Sequence, residues 1–270
     1  MYGLIIAFKD FVPAKGIMGS SWVGMKWFKM FFETPRFRQI LKNTLMLSVY
    51  SLVVGFPFPI ILALVINDIR ASKMKKFCQT VTYMPYFIST VVLVGMLSVF
   101  FSPDSGFVNT LLAKLGGSGN TFFMGEGKYF RHMYVWSGIW QSMGWNSVIY
   151  IAALSGVDQQ LHEAAMIDGA NLIQQIMTVE WPAIKDMVVI QFILQAGNIM
   201  SIGFEKAYAL QTDLNLNTAE IIATYVYKKG LLDGDYSFST AVGLFNTVVN
   251  VILLIAVNKV VAKMNDGKGL

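Results

Sequence analysis

The sequence predicts an all-α, polytopic membrane protein, with five full transmembrane helices and a partial first one in a single domain over residues 1–270. Two observations carry this. Hydrophobic residues make up 55% of the chain and charged ones only 14%, whereas a soluble domain is about a quarter charged. The apolar residues also run together, giving a mean hydropathy of +0.54, in uncharged stretches of about 20 residues that each suffice to cross ~30 Å of hydrocarbon.

The first apolar stretch, Met1 to Phe8, reaches only about 12 Å as a helix. It reads as the tail of a spanning helix in preference to an interfacial anchor, and no cleavable secretory signal is read in it. Residues 9–39 mix Trp22, Trp27, Phe28, Phe31 and Phe32 with Lys26, Lys29 and Arg36, the composition of a helix lying at a membrane interface. Full spans are expected over 43–66, with Pro57 and Pro59 inside, and over 77–101, with Pro85 inside. Between them lies a basic hinge, Asp68, Arg70, Lys73, Lys75 and Lys76. A polar loop rich in glycine fills 102–130. Its Gly127-Lys128 is followed by Tyr129, so the phosphate-binding Gly-Lys-Ser/Thr ending is absent. Further spans are expected over 133–157, 187–204 and 238–261, with a polar segment at 158–184 and a second long polar loop at 205–236.

Several function classes are excluded. The net charge is +5, but the basic residues flank apolar spans, so lipid headgroups rather than nucleic acid are the expected partner. Cys78 is the one cysteine, and His132 and His162 lie far apart, so no disulfide framework or metal-ligand spacing arises. No paired carboxylates or activated nucleophile point to an enzyme. No acid or lysine lies deep in an expected span, which disfavours an ion-coupled carrier.

Charge does not fix the orientation. With 68–76, 158–185 and the C-terminus on the cytoplasmic side, lysines and arginines there number four, one and three, against seven, three and three on the opposite side. That bias runs against the positive-inside rule.

The segment 158–184 carries the chemistry. Asp158 is placed to cap a helix, Leu161, Ala164, Ala165 and Asp168 follow at helical spacing, and Gly169 is placed to end that helix in a left-handed conformation. A second short helix is expected with Leu172, Ile176 and Val179 on one face, closed by Pro182. Ala164 and Ala165 allow close approach of another surface, and Glu163 offers it a charge. From these features alone the segment reads equally well as an amphipathic connector resting on headgroups.

The string Glu163-Ala164-Ala165, with Gly169 six residues beyond Glu163 and Pro182 thirteen beyond Gly169, resembles the EAA loop of permease subunits in bacterial binding-protein-dependent ABC importers. Val179 stands where isoleucine is usual, and Trp181 departs from the usual leucine. The run Glu163 to Ala170 is similar to the version in carbohydrate-import permeases. Phe8-Lys9-Asp10-Phe11, Trp22-Val23-Gly24 and Tyr83-Met84-Pro85 resemble the oligosaccharide and polysaccharide permeases related to maltose-type importers.

The resemblance implies six spans, a bacterial cytoplasmic-membrane location, and a cytoplasmic loop and C-terminus. It implies docking through Glu163, Ala164, Ala165, Asp168, Gly169 and Pro182 onto a separate ATPase, present in two copies, which alone binds ATP and Mg. A second related permease, an extracellular solute-binding protein and a sugar or oligosaccharide complete the expected partners, and alternating access is the implied mechanism. No cofactor is expected in this chain.

Candidates for the solute path are the polar and aromatic residues of the spans. Gln191, Gln195 and Asn198 share one helical face, Asn246 and Asn250 are four apart, and Gln141 and Trp145 share another face. Trp136 and Trp140 are four apart on a further one. Amides hydrogen-bond sugar hydroxyls and rings stack on apolar sugar faces, although such residues also bridge helices and populate interface belts. A permease for another polar solute, a stand-alone carrier or channel and a non-transporting scaffold are the alternatives.

Overall fold

The structure, a computed structural model, describes residues 2–264. Met1 of the expected partial span and the tail beyond 264, including Lys268 and the C-terminus expected in the cytoplasm, lie outside the described residues. Two compact units emerge, one from residues 2–49, 90–134 and 198–253, the other from 50–89, 135–197 and 254–264.

The first unit begins with a tight helical run, Tyr2–Phe8. Next come strand β1 (Lys9–Asp10), helix α1 (Gly16–Gly19) and strand β2 (Ser21–Trp22). The strands pair antiparallel, Lys9 opposite Trp22. Helix α2 (Lys26–Glu33) is the amphipathic element expected at an interface. Its apolar face is taken up by the protein itself: Trp27 and Phe31 are buried beside Ile40, Ile222, Phe238 and Val242. Phe31 meets Phe37 at 4.9 Å and Phe245 at 5.8 Å, edge to face, a favoured ring geometry.

Helix α3 (Phe37–Gly55) and α4 (Pro57–Asn67) follow, and together Phe37–Asn67 is long and apolar enough to cross a membrane. Pro57 is tolerated because it stands in the first turn of α4, where a backbone N–H has no helical partner. Residues 205–236, read in sequence as a loop, are mostly helical. Their elements are α12 (Phe204–Ala209), α13 (Leu216–Ala219), α14 (Ile222–Tyr227) and a wide π-type turn, Lys228–Leu232. They fasten to α3 through Asn43, which donates to the carbonyls of Asn217 and Glu220, and through Thr44, which accepts from the Ile222 amide.

The expected span 77–101 is not one straight helix. Helix α5 (Ser72–Tyr83) runs into a 3-10 turn at Met84–Phe87, and α6 (Thr90–Phe100) follows at a bend of 96°. The pair is either a broken span or a re-entrant loop. Pro85 sits in the turn, and Ile88 after it is extended.

Helix α7 (Phe107–Lys114) precedes α8 (Gly127–Leu154), a 28-residue helix over most of the expected third span. The segment expected to dock forms α9 (Gln159–Ile167), α10 (Leu172–Gln175) and a π-turn at Ile176–Glu180. Helix α11 (Trp181–Gly197) begins earlier and ends earlier than the expected span 187–204. The chain leaves helical geometry at Asn198, although the residues there stay apolar or small. Helix α15 (Tyr236–Met264) closes the described chain, and its Tyr236–Lys263 stretch is apolar enough to span.

In the second unit, α4, α8 and α11 share a core of Ile60, Ala63, Tyr150, Leu154 and Ile184, with Trp181 packed against it. Gly144 lets α8 approach α5: a Cβ there would run into the Thr82 carbonyl.

Candidate docking loop and path residues

The docking segment is built as its sequence dictates up to Gly169. The Asp158 side chain accepts from the Gln160 amide at 2.9 Å and caps α9. Gly169 is left-handed at φ 76°. Its N–H reaches the Met166 carbonyl at 3.1 Å, and the Ala170 N–H reaches Ala165 at 2.9 Å, the paired bonds of a Schellman stop. A capping box, Asn171 with Gln174, starts the second helix.

Beyond that point the structure corrects the sequence expectation for Pro182. The second helix is not closed there, since helical geometry continues from α10 through the π-turn into α11. The π-turn is the reason: the Trp181 N–H bonds the Ile176 carbonyl, one residue further back than in an α-helix. The wider turn carries the helical path past Pro182, which has no N–H to give to the preceding turn.

Exposure divides the loop cleanly. Glu163, Ala164, Asp168, Gly169 and Pro182 are exposed, and Ala165 is half-buried. The apolar residues around the turn face outward, with Ile167 86% and Ile173 72% exposed, and Leu161, Leu172 and Met177 open as well. This outward apolar face, broken by the small Ala164 and the charge of Glu163, is unlike the ordinary scatter of single surface hydrophobes.

One acid of the segment is buried, and sequence reasoning passed over it. Glu180 is 1% exposed. Its Oε1 accepts from Asn67 Nδ2 at 2.7 Å, while its Oε2 is buried with no hydrogen-bond partner. Burial pushes this carboxyl upward and the nearby Asp68 adds to that, whereas the Asn67 hydrogen bond, His162 and Lys75 pull the other way. Leaving one buried oxygen unmet costs about 1–3 kcal/mol. The only cue in the sequence was an acid set between Val179 and Trp181.

The path candidates separate into two groups. Gln141 donates to the Ile88 carbonyl at 2.8 Å and so braces the break between α5 and α6. Asn250 accepts from the Met200 amide at 3.0 Å and donates to Ser201 at 2.6 Å. These two amides hold the backbone where helices break. Trp145, 45% exposed, stacks on Tyr86 at 4.8 Å with the rings 9° apart, and Phe87 meets its edge. No spacing along the chain marks Tyr86 and Phe87 as its partners. Gln191 is half-buried and Gln195 exposed on α11, whereas Asn198 falls just past that helix and is exposed. Asn246 has its Oδ1 buried without a partner. Trp136 meets Phe58 edge to face at 5.6 Å.

Residues 38–266 match the family described as "Binding-protein-dependent transport system inner membrane component". The chain belongs to that family. This permease is 42% identical to the polygalacturonan/rhamnogalacturonan transport system permease protein YteP of Bacillus subtilis (strain 168), over 98% of this chain and 83% of the relative. It is 42% identical to the protein LplB of the same organism, over 100% of this chain and 84% of the relative. Among solved structures, a chain of a bacterial alginate ABC transporter, in complex with an alginate pentasaccharide-bound periplasmic protein, superposes with a TM-score of 0.89 at 34% identity. The match covers 99% of this chain and 88% of that one. The protein is thus the membrane component of a transport system, an all-α permease.

Proposed function

We propose that the permease forms half of the translocation path of an ATP-driven importer for an oligosaccharide, and that the loop around Glu163–Gly169 docks it onto a separate ATPase. The observation that carries this is the outward apolar face of α9 and α10, held at a fixed angle by the left-handed Gly169 and set beside the exposed Glu163. Such a face calls for a protein partner with an apolar cleft and a basic residue near Glu163.

In this reading the loop lies in the cytoplasm, where ATP and Mg are held by two ATPase subunits. A second, related permease supplies the other half of the path, and an extracellular binding protein delivers the solute. Closure of the ATPase pair moves the docked helix, and the spans follow by alternating access. The polygalacturonan/rhamnogalacturonan named for one relative and the acidic polysaccharide alginate named for a similar structure support an oligosaccharide cargo. Gln191, Gln195 and Trp145 are the side chains proposed to meet it.

The test is gentle purification of the tagged chain in detergent, with mass spectrometry of what remains bound. One copy of each of two permeases with two ATPase subunits supports the importer, and fragments of those polysaccharides are then the first solutes to screen by ATPase stimulation. A chain that emerges alone, yet moves solute in vesicles without ATP, is a self-contained carrier.

A further inference from the structure

The docking loop is joined to the rest of its unit by a polar linkage buried beneath it. Asn67, the last residue of α4, donates to Glu180 Oε1 at 2.7 Å. Lys75, on α5, donates to the Asn67 carbonyl at 3.2 Å and to its Oδ1 at 3.1 Å. Both faces of one amide are therefore engaged, one by the end of the docking segment and the other by the start of α5. His162, the neighbour of Glu163 on the docking helix, and Asp68, next to Asn67, both act electrostatically on the Glu180 carboxyl. Arg70 adds a long contact to the Met166 sulfur at 3.9 Å.

Nothing in the packing requires an acid at this position. The neighbouring Trp181 and Ile184 are apolar and packed in the core of the unit, and an apolar side chain would avoid the unmet Oε2. A part-buried polar linkage that an apolar contact would replace at lower cost is weak as a stability device but well suited to fixing one arrangement. The π-turn that ends on Glu180 points the same way, because such turns concentrate at functional positions.

We propose that Glu180 is a positioning residue for energy coupling: through Asn67 and Lys75 it ties the docking segment to the adjoining ends of α4 and α5, so that displacement of α9 reaches those helices. The inference rests on the importer reading above.

The experiment uses the whole importer in vesicles, comparing wild type with Glu180→Ala, Glu180→Gln, Asn67→Ala and the Glu180→Ala/Asn67→Ala double variant. It measures retained ATPase, basal ATP hydrolysis, solute-stimulated hydrolysis and solute moved per ATP. Glu180→Ala is expected to retain the ATPase and its basal rate but to lose about tenfold in solute-stimulated transport, the scale of a typical coupling energy. Glu180→Gln, which keeps an oxygen for Asn67, should recover most of it. Asn67→Ala should match Glu180→Ala, and the double variant should be no worse than either, since one linkage is broken only once. Should Glu180→Ala not assemble, the Glu180→Gln and Asn67→Ala pair decides the matter by the same ratio. A wild-type importer that couples beside Glu180→Ala and Asn67→Ala variants that couple equally well overturns the joint alone. Additive losses in the double variant overturn it too. A wild-type chain that binds no ATPase overturns the importer reading and the joint together.

Discussion

Asn67 and Glu180, 113 residues apart in sequence, meet side chain to side chain at 2.7 Å. The carboxylate is buried, and burial holds it above the usual carboxylate range. A carboxyl that protonates more readily in the folded state favours folding at low pH. That contribution is lost as pH rises through its raised folded value. Wild type should therefore gain stability relative to Glu180→Gln as pH falls through the raised folded value, at roughly 2–4 °C in melting temperature per kcal/mol. A difference between the two proteins that stays flat with pH would show that the group does not titrate differently on folding.

Gly169 is left-handed, and nothing lies within 4 Å of where its Cβ would be. Gly169→Val therefore meets no steric clash with neighbours, only backbone strain of about 1–2 kcal/mol. It should insert and remain folded while losing ATPase coupling, because the angle between α9 and α10 is set there. Gly169→Asn, which tolerates this conformation better, should fall between. Normal uptake by a well-expressed Gly169→Val variant would remove the docking assignment.

Ile167 and Ile173 are exposed and pack against nothing that their substitution would disturb. Changing either to aspartate should leave the melting temperature within the usual surface range of about ±0.5 kcal/mol, yet reduce the ATPase retained on purification. Unchanged retention would place the partner elsewhere.

Gly144 faces the Thr82 backbone too closely for a side chain. Gly144→Ala should destabilise by about 1–3 kcal/mol, the usual cost of overpacking, read as a lower melting temperature in detergent. Gly95, which has open space around it, serves as the control.

Gln141→Leu removes the donor to the Ile88 carbonyl at the α5–α6 break. An unmet carbonyl costs about 1–3 kcal/mol, so faster hydrogen exchange over 84–90 is the expected signature. Unaltered exchange would show that Pro85 and the turn hold the break unaided.

How much of this was legible differs from element to element. The membrane class, the helical content and the first half of the docking segment followed from composition and from local signals that act at fixed offsets, such as Asp158 at its cap and Gly169 at its turn. The stop expected at Pro182 failed because a proline reads as a break only in an α-helical turn, and here a π-turn widens the path. The bend at 88–89 left no trace in apolarity, since Phe87, Ile88, Val91 and Val92 are uniformly hydrophobic. Glu180 carried no local mark of burial, because its setting depends on Asn67, 113 residues away in sequence. The roles of Gln141 and Asn250 as braces likewise depend on where the backbone leaves its helices, which pairwise spacing along one helix does not reveal.

Trp181 departs from the leucine of the EAA-loop pattern that the sequence resembles. Its indole packs against the core formed by Ile60, Tyr150 and Ile184, one residue beyond the buried Glu180. The substitution gives this permease an intrinsic fluorophore at the hinge of its own loop. Emission from a variant keeping Trp181 alone would shift as the surrounding side chains rearrange, so nucleotide-driven movement becomes visible in real time without a chemical label.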